Sequence, residues 1–237
     1  MKVVADSVNR IFGRLEGSDF VTPVRQRPHV RCQIDSIDFA TPIIRKNASS
    51  ALVRFLRSLL GDDSSTRASR LEILKLFSSN HEEAATARDR LLILRDPVER
   101  VRSVYQNKFV DLVGDGKQPG DIGLEAERIT GRSARDFDWE SFVFEYVLSG
   151  KAVDPHFKPQ VAHLGSISYN RVVLLEALPI AMANIIGPEL AQVFFARKFN
   201  ESHGAEELAS QQATGALREF YAADYELLDA VEWGESE

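Results

Sequence analysis

Three short stretches hold residue types from which an anion-handling site could be built. The first, Arg45-Lys46-Asn47-Ala48-Ser49-Ser50, stands between an apolar run ending at Ile43-Ile44 and an amphipathic segment that opens at Leu52. Small side chains there would let a phosphate approach the backbone. Ser49 and Ser50 could donate hydroxyls, Lys46 supplies a positive charge, and the start of the following helix adds amide N–H groups. The stretch lacks the glycines of a G-x-x-x-x-G-K-[ST] loop, and an ordinary helix start could use many of the same residues. The second stretch places Arg95 directly after the apolar run Leu91-Leu92-Ile93-Leu94, with Ser103 eight residues further on. A ligand touching both must lie along ~10 Å of helix, a span that suits a nucleotide. The third is Asp154-Pro155-His156-Phe157-Lys158-Pro159-Gln160, in which two prolines hold His156 in a turn. An unperturbed imidazole titrates near 6.5 and suits a proton-accepting base at neutral pH, and His81, a few residues after Ile73–Phe77 and beside Glu82, is placed for that task at the carboxyl edge where the Lys46 stretch and Arg95 also emerge. His163 is read as a turn residue.

Positioning these groups requires a sheet with crossover helices. Short apolar runs alternate with segments of helical period, so the fold class is read as α/β with a central parallel sheet flanked by helices. Strands are expected at Pro42–Ile44, Ile73–Phe77, Leu91–Leu94 and Val172–Leu175. Leu52, Phe55, Leu56, Leu59 and Leu60 form the apolar stripe of a helix closed by Gly61. Asp96-Pro97-Val98-Glu99 predicts a helix start, with an N-cap carboxylate, proline at the first position and a capping-box glutamate, and the helix should run to about Val110. Arg100, Ser103 and Asn107 share one face of it, which is expected to point away from the core. Gly61 to Ser69 reads as a loop, and Gly114 to Gly123, with four glycines and a proline, as a loop able to act as a lid. Leu217, Phe220, Tyr221, Asp224, Tyr225 and Leu228 predict one long closing helix.

Composition narrows the function classes. In 237 residues the formal net charge is −6, which argues against a nucleic-acid or anionic-membrane surface and means that an anion must be held by local cations. Cys32 is the only cysteine, so neither an internal disulfide nor a cysteine-rich metal site can form. No apolar run is long enough to span a membrane, and Met1 to Phe12 lacks the apolar core of a secretion signal, so a soluble cytoplasmic protein is expected.

The segment Leu94-Arg95-Asp96-Pro97-Val98-Glu99-Arg100-Val101-Arg102-Ser103-Val104-Tyr105-Gln106-Asn107-Lys108-Phe109 resembles the R-D-P-x-x-R-x-x-S-x-Y-x-N-K-F signature of Golgi carbohydrate sulfotransferases, the chondroitin 4-O-sulfotransferase group above all. The Arg45–Ser50 stretch is similar to that family's loop for the 5′-phosphosulfate, with Arg45 where proline is usual. Asp154–Gln160 is similar to its D-x-H-W-x-P-Q motif, with Phe157 in place of tryptophan. The likeness spans about residues 40 to 230 and implies a P-loop-like three-layer sulfotransferase domain over 40–237. Residues 1–39 are left as an N-terminal segment of uncertain role, and the membrane anchor of the Golgi enzymes has no counterpart.

What the resemblance implies is transfer of a sulfuryl group from 3′-phosphoadenosine-5′-phosphosulfate (PAPS) to a hydroxyl of a carbohydrate or other small acceptor, leaving adenosine 3′,5′-bisphosphate and needing no metal. Arg95 and Ser103 would take the 3′-phosphate. Arg45, Lys46, Asn47, Ala48, Ser49 and Ser50 would take the 5′ end, with Lys46 on the bridging oxygen. His156 would be the base, or His81, since related uronyl 2-O-sulfotransferases draw a histidine from the segment before the arginine strand. Two other readings stand beside this one. A non-catalytic nucleotide-binding module would keep Arg95 and Ser103 without the base, and a P-loop kinase would need a glycine-rich loop and a magnesium-binding carboxylate that are not evident.

Overall fold

The computed structural model describes residues 29–61, 68–111, 118–164, 167–195 and 210–234. The expectations for residues 1–28, for most of the Gly61–Ser69 loop and for 114–117 of the glycine-rich stretch lie outside the described residues. In chain order the elements are β1 His29–Ile34, β2 Ile37–Thr41, α1 Ser49–Leu59, α2 Arg70–Leu76, β3 Ser78–Ser79, α3 His81–Ala85, β4 Asp89–Leu94, α4 Pro97–Tyr105 and α5 Asp121–Thr130. They continue with α6 Trp139–Ser141, β5 Arg171–Leu174, α7 Leu178–Ile186, α8 Pro188–Phe195, α9 Gln211–Phe220 and α10 Ala222–Gly234. The described residues divide into two compact units, one of those up to 95, within 160–199 and from 226 onward, the other of those within 96–159 and 200–225.

The first unit is an α/β structure whose five-stranded sheet has the order β3-β1-β2-β4-β5. β2, β4 and β5 run parallel, while β1 runs antiparallel to both β2 and β3, so the sheet is mixed and not wholly parallel as expected. The reason is local. Ile34 pairs with Ile37, leaving the two-residue turn Asp35-Ser36 with Asp35 at φ 51°, and so short a connection can join only antiparallel neighbours. Residues 29–39, assigned no role from sequence, thus supply β1 and part of β2.

Two strand expectations are corrected. Chain direction at Pro42–Ile44 is no longer part of the ladder, because β2 ends at Thr41. Ile73–Leu76 belongs instead to helix α2, with Phe77 as its C-cap, and the start of that helix is fixed by a capping box. Ser69 Oγ accepts from the Glu72 N–H, and the Glu72 carboxylate accepts from the Ser69 N–H. β4 and β5 form where expected, and Asn170 pins the entry to β5 by accepting from the Arg90 N–H at 2.7 Å and donating to the Arg88 carbonyl at 2.9 Å. α1 also forms as expected. Leu52, Phe55 and Leu56 are buried against Phe39, Met182 and Phe194, whereas Leu60 lies past the helix end and is exposed.

The second unit is helical, with an aromatic core. Val101, Val104 and Tyr105 of α4, Phe109, Trp139, Phe142, Tyr146, Phe157, Leu217 and Tyr221 are all buried in it. Phe142 and Phe157 rings lie 5.9 Å apart, and Tyr146 and Phe157 rings 5.2 Å apart, so the phenyl ring of Phe157 is a packing element here. α4 starts on Asp96 as expected, with Oδ1 accepting from the Glu99 N–H at 2.9 Å. Glu99 does not close the box, because its carboxylate pairs with Arg102 at 2.5 Å. Beyond Tyr105 the helix continues as a π-helical turn over Gln106–Val110. The expected glycine-rich loop is helical from Asp121, and a Cβ on Gly123 would meet Pro119 Cβ at 2.8 Å, which explains the glycine. The single closing helix is two helices, broken at Tyr221, whose hydroxyl donates to the Phe157 carbonyl at 2.7 Å.

Within the first unit His29 is 1% exposed, and its Nε2 lies 2.9 Å from the Tyr169 hydroxyl. Burial first, and the neighbouring His81 second, push its imidazole down to about 4. The unfolded chain therefore takes up this proton near pH 6.5 and the folded chain only near 4. The stability at stake is fully present above pH 6.5 and is lost as pH falls toward 4, by about 3 kcal/mol at most. Chemical unfolding between pH 7.5 and 4.5 should show this decline, and His29→Gln should flatten it; an equally steep decline in the variant would contradict the assignment.

Candidate functional site

The sheet topology marks one place for a ligand. From β2 the chain passes through α1 and α2 to β3, on one side in the sheet order, whereas β5, the next strand after β4, lies on the other. The carboxyl ends of β2 and β4 therefore flank a topological switch point, where α/β sheets open a crevice. Arg45–Ala48 follows β2 there, and Arg95 follows β4.

The loop is held in an unusual conformation. Lys46 and Ala48 have φ of 69° and 57°, in the left-handed region that side chains with a Cβ avoid, while Asn47 between them does not. Each such residue costs on the order of 1–2 kcal/mol, and surrounding contacts must enforce it. Alternation of this kind turns successive N–H groups toward one side, forming a concavity of the type that binds anions. Ala48 is also the N-cap of α1 and offers no side-chain cap, so the first amides of that helix are not closed off by their own chain.

Asn47 is 4% exposed and anchors the loop. Its Nδ2 donates to the Ile93 carbonyl at 2.8 Å and to Gln160 Oε1 at 2.5 Å. Gln160, fully buried, also accepts from the Arg95 N–H at 3.1 Å and donates from Nε2 to the Arg95 carbonyl at 2.8 Å. Arg95 Nη1 in turn reaches the Lys46 carbonyl at 3.4 Å. The structure thus brings together Lys46, Asn47 and Arg95, which the sequence had proposed separately. The role of Gln160 is not evident from sequence; its signal is a polar residue that ends the Asp154–Gln160 turn.

His81 lies at the same edge. His29 pairs with Ser79 and Val30 with Thr41, so the residues after β3 emerge at the carboxyl ends of β3 and β2, although the Ile73–Phe77 strand expected before His81 is helical. His81 occupies the first turn of α3, and its ring meets that of His29 edge-on at 5.2 Å. His163 sits in a 3₁₀ turn, Gln160–His163, and is buried.

The remaining candidates belong to the second unit. Ser103 is half-buried on α4. Arg100, expected beside it on an outward face, is fully buried; its Nη2 donates to the Lys158 carbonyl at 2.6 Å and its guanidinium lies 5.5 Å from the Tyr221 ring centre. The helix is packed on that side as well, which is why the outward-face reading of Arg100 does not hold. His156 is fixed by Asp154, whose Oδ1 accepts from the His156 N–H at 2.8 Å and lies 2.5 Å from Nδ1. A carboxylate at Nδ1 favours a proton on that nitrogen and so fixes the tautomer and orientation of the ring. The signal for Asp154 in sequence is a carboxylate two residues before a histidine.

Among the described residues, no three His, Cys, Asp or Glu side chains gather into a metal-binding set, and no helix is long and apolar enough to cross a membrane. Compared with protein-family models, with curated proteins and with solved structures, the chain matches none of them.

Removing the Gln160 carboxamide would take away the hydrogen bonds it makes with both main-chain groups of Arg95 in a part-buried place. Gln160→Ala is expected to lower unfolding stability by about 2–4 kcal/mol in urea titrations. A loss below about 1 kcal/mol would contradict the anchoring role.

Proposed function

We propose that this chain is a PAPS-dependent sulfotransferase that sulfates a hydroxyl, with a carbohydrate as the acceptor class, on a P-loop-like fold. The observation that carries the reading is the meeting of the Arg45–Ser50 loop with Arg95 at the switch point, through Asn47 and Gln160. The sequence resemblance had assigned that loop and that arginine to the two phosphate ends of one nucleotide. Uncapped amides, the Lys46 charge and the Ser49 and Ser50 hydroxyls suit the 5′-phosphosulfate, and the Arg95 guanidinium suits a 3′-phosphate.

In this reading the acceptor oxygen attacks sulfur in line with the bridging oxygen. The bond between sulfur and that oxygen breaks, and Lys46 balances the charge left on the 5′-phosphate. Such chemistry depends on placement and charge more than on covalent help. Ser103, as a second partner for the 3′-phosphate, and His156, as the base, enter from the resemblance. The pairing of His156 Nδ1 with Asp154 is what a base at Nε2 would need, and His81 is the alternative base on its position at the sheet edge.

Isothermal titration with adenosine 3′,5′-bisphosphate, AMP and ATP tests the donor assignment. The bisphosphate should bind selectively, and Arg95→Ala should weaken it by at least ~1.5 kcal/mol, the loss of charged hydrogen bonds. Equal or absent binding of all three nucleotides would overturn the reading.

A further inference from the structure

Two arginines of the first unit are neighbours although both are cations. Arg70, in the first turn of α2, donates from Nη1 to Ser50 Oγ at 3.3 Å, at the exposed start of α1. Its Nε and Nη2 are shielded from solvent without an acceptor, and so is Nε of Arg45 in the loop before α1. Among the described residues no carboxylate forms an ion pair with either guanidinium. Burial first, and the Arg45 charge second, push Arg70 down to about 10. Half-buried like charges with unmet donors disfavour the protein standing alone, and the arrangement becomes favourable once an anion with several acceptor oxygens sits between them. A carboxylate offers two oxygens; a tetrahedral phosphate or sulfate offers at least three, which better matches two guanidinium forks and a hydroxyl.

We propose that Arg45, Arg70 and Ser50 form a site for a tetrahedral oxyanion of the phosphate or sulfate type, in which Arg70 is a binding residue supplied from outside the Arg45–Ser50 loop. The site deepens the donor reading by giving the phosphosulfate end a second arginine. It rests on that reading for the identity of the ligand and not for the class of anion.

The test is titration of the full chain with inorganic pyrophosphate and, separately, with adenosine 3′,5′-bisphosphate, for wild type, Arg70→Ala, Arg70→Gln and the control Lys75→Ala, which removes a charge from the other end of α2. Wild type should bind pyrophosphate. Both Arg70 variants should bind it at least about tenfold more weakly, with thermal midpoints near that of wild type, and Lys75→Ala should stay within about twofold. Arg70→Gln keeps the test open should Arg70→Ala not fold. Pyrophosphate affinity unchanged in the Arg70 variants, or equally reduced in Lys75→Ala, overturns the site, as does the absence of pyrophosphate binding by wild type at millimolar concentration. Arg70-dependent pyrophosphate binding without preference for the bisphosphate over AMP and ATP would uphold the oxyanion site while the donor reading fails. Selective bisphosphate binding untouched by the Arg70 variants would do the reverse.

Discussion

The candidate site hangs on one buried carboxamide. β4 ends at Leu94, so the Arg95 N–H and carbonyl have no strand to complete them, and Gln160 satisfies both while also accepting from Asn47. The orientations of the two amides follow from their partners: the Ile93 and Arg95 carbonyls can only accept, and the Arg95 N–H can only donate. A single side chain thereby ties the loop after β2 to the end of β4. With that tie in place Lys46 and Ala48 can be kept at positive φ, a strain that local preference alone would release. The loop keeps its concave shape because its Asn47 is fastened elsewhere.

Charge at this edge runs against the rest of the molecule. The chain carries a formal net charge of −6, yet Arg45, Lys46, Arg70 and Arg95 all stand around the start of α1 or the end of β4. Local cations can attract one anionic group without making the surface broadly basic. The depressed Arg70 and the unmet guanidinium nitrogens belong to the same economy of charge. In the second unit, by contrast, the fully buried Arg100 packs against the Tyr221 ring and the Lys158 carbonyl and serves the core.

The parts of the fold that were legible in sequence are those with strong local signals. Leu91–Leu94 and Val172–Leu175 are uninterrupted apolar runs, the Leu52 stripe has helical period, and Asp96-Pro97 is an unambiguous helix start. α2 was misread because Ile73-Leu74-Lys75-Leu76-Phe77 looks like a buried strand in isolation; the Ser69 and Glu72 capping box three residues apart carried the better information. β1 and β2 were missed although Val30, Cys32 and Ile34, then Ile37 and Phe39, alternate with period two around Asp35-Ser36. The candidate residues of the site were readable by type, but their meeting was not. Asn47 and Gln160 are 113 residues apart, and Arg70 joins Ser50 across 20, so no local pattern could announce either contact.

The most direct measurement is a crystal structure of the protein with adenosine 3′,5′-bisphosphate. The account predicts the 5′-phosphate on the amides that open α1, beside Lys46, and the 3′-phosphate on the Arg95 guanidinium. A nucleotide bound elsewhere, with the Arg45–Ser50 loop empty, would contradict it.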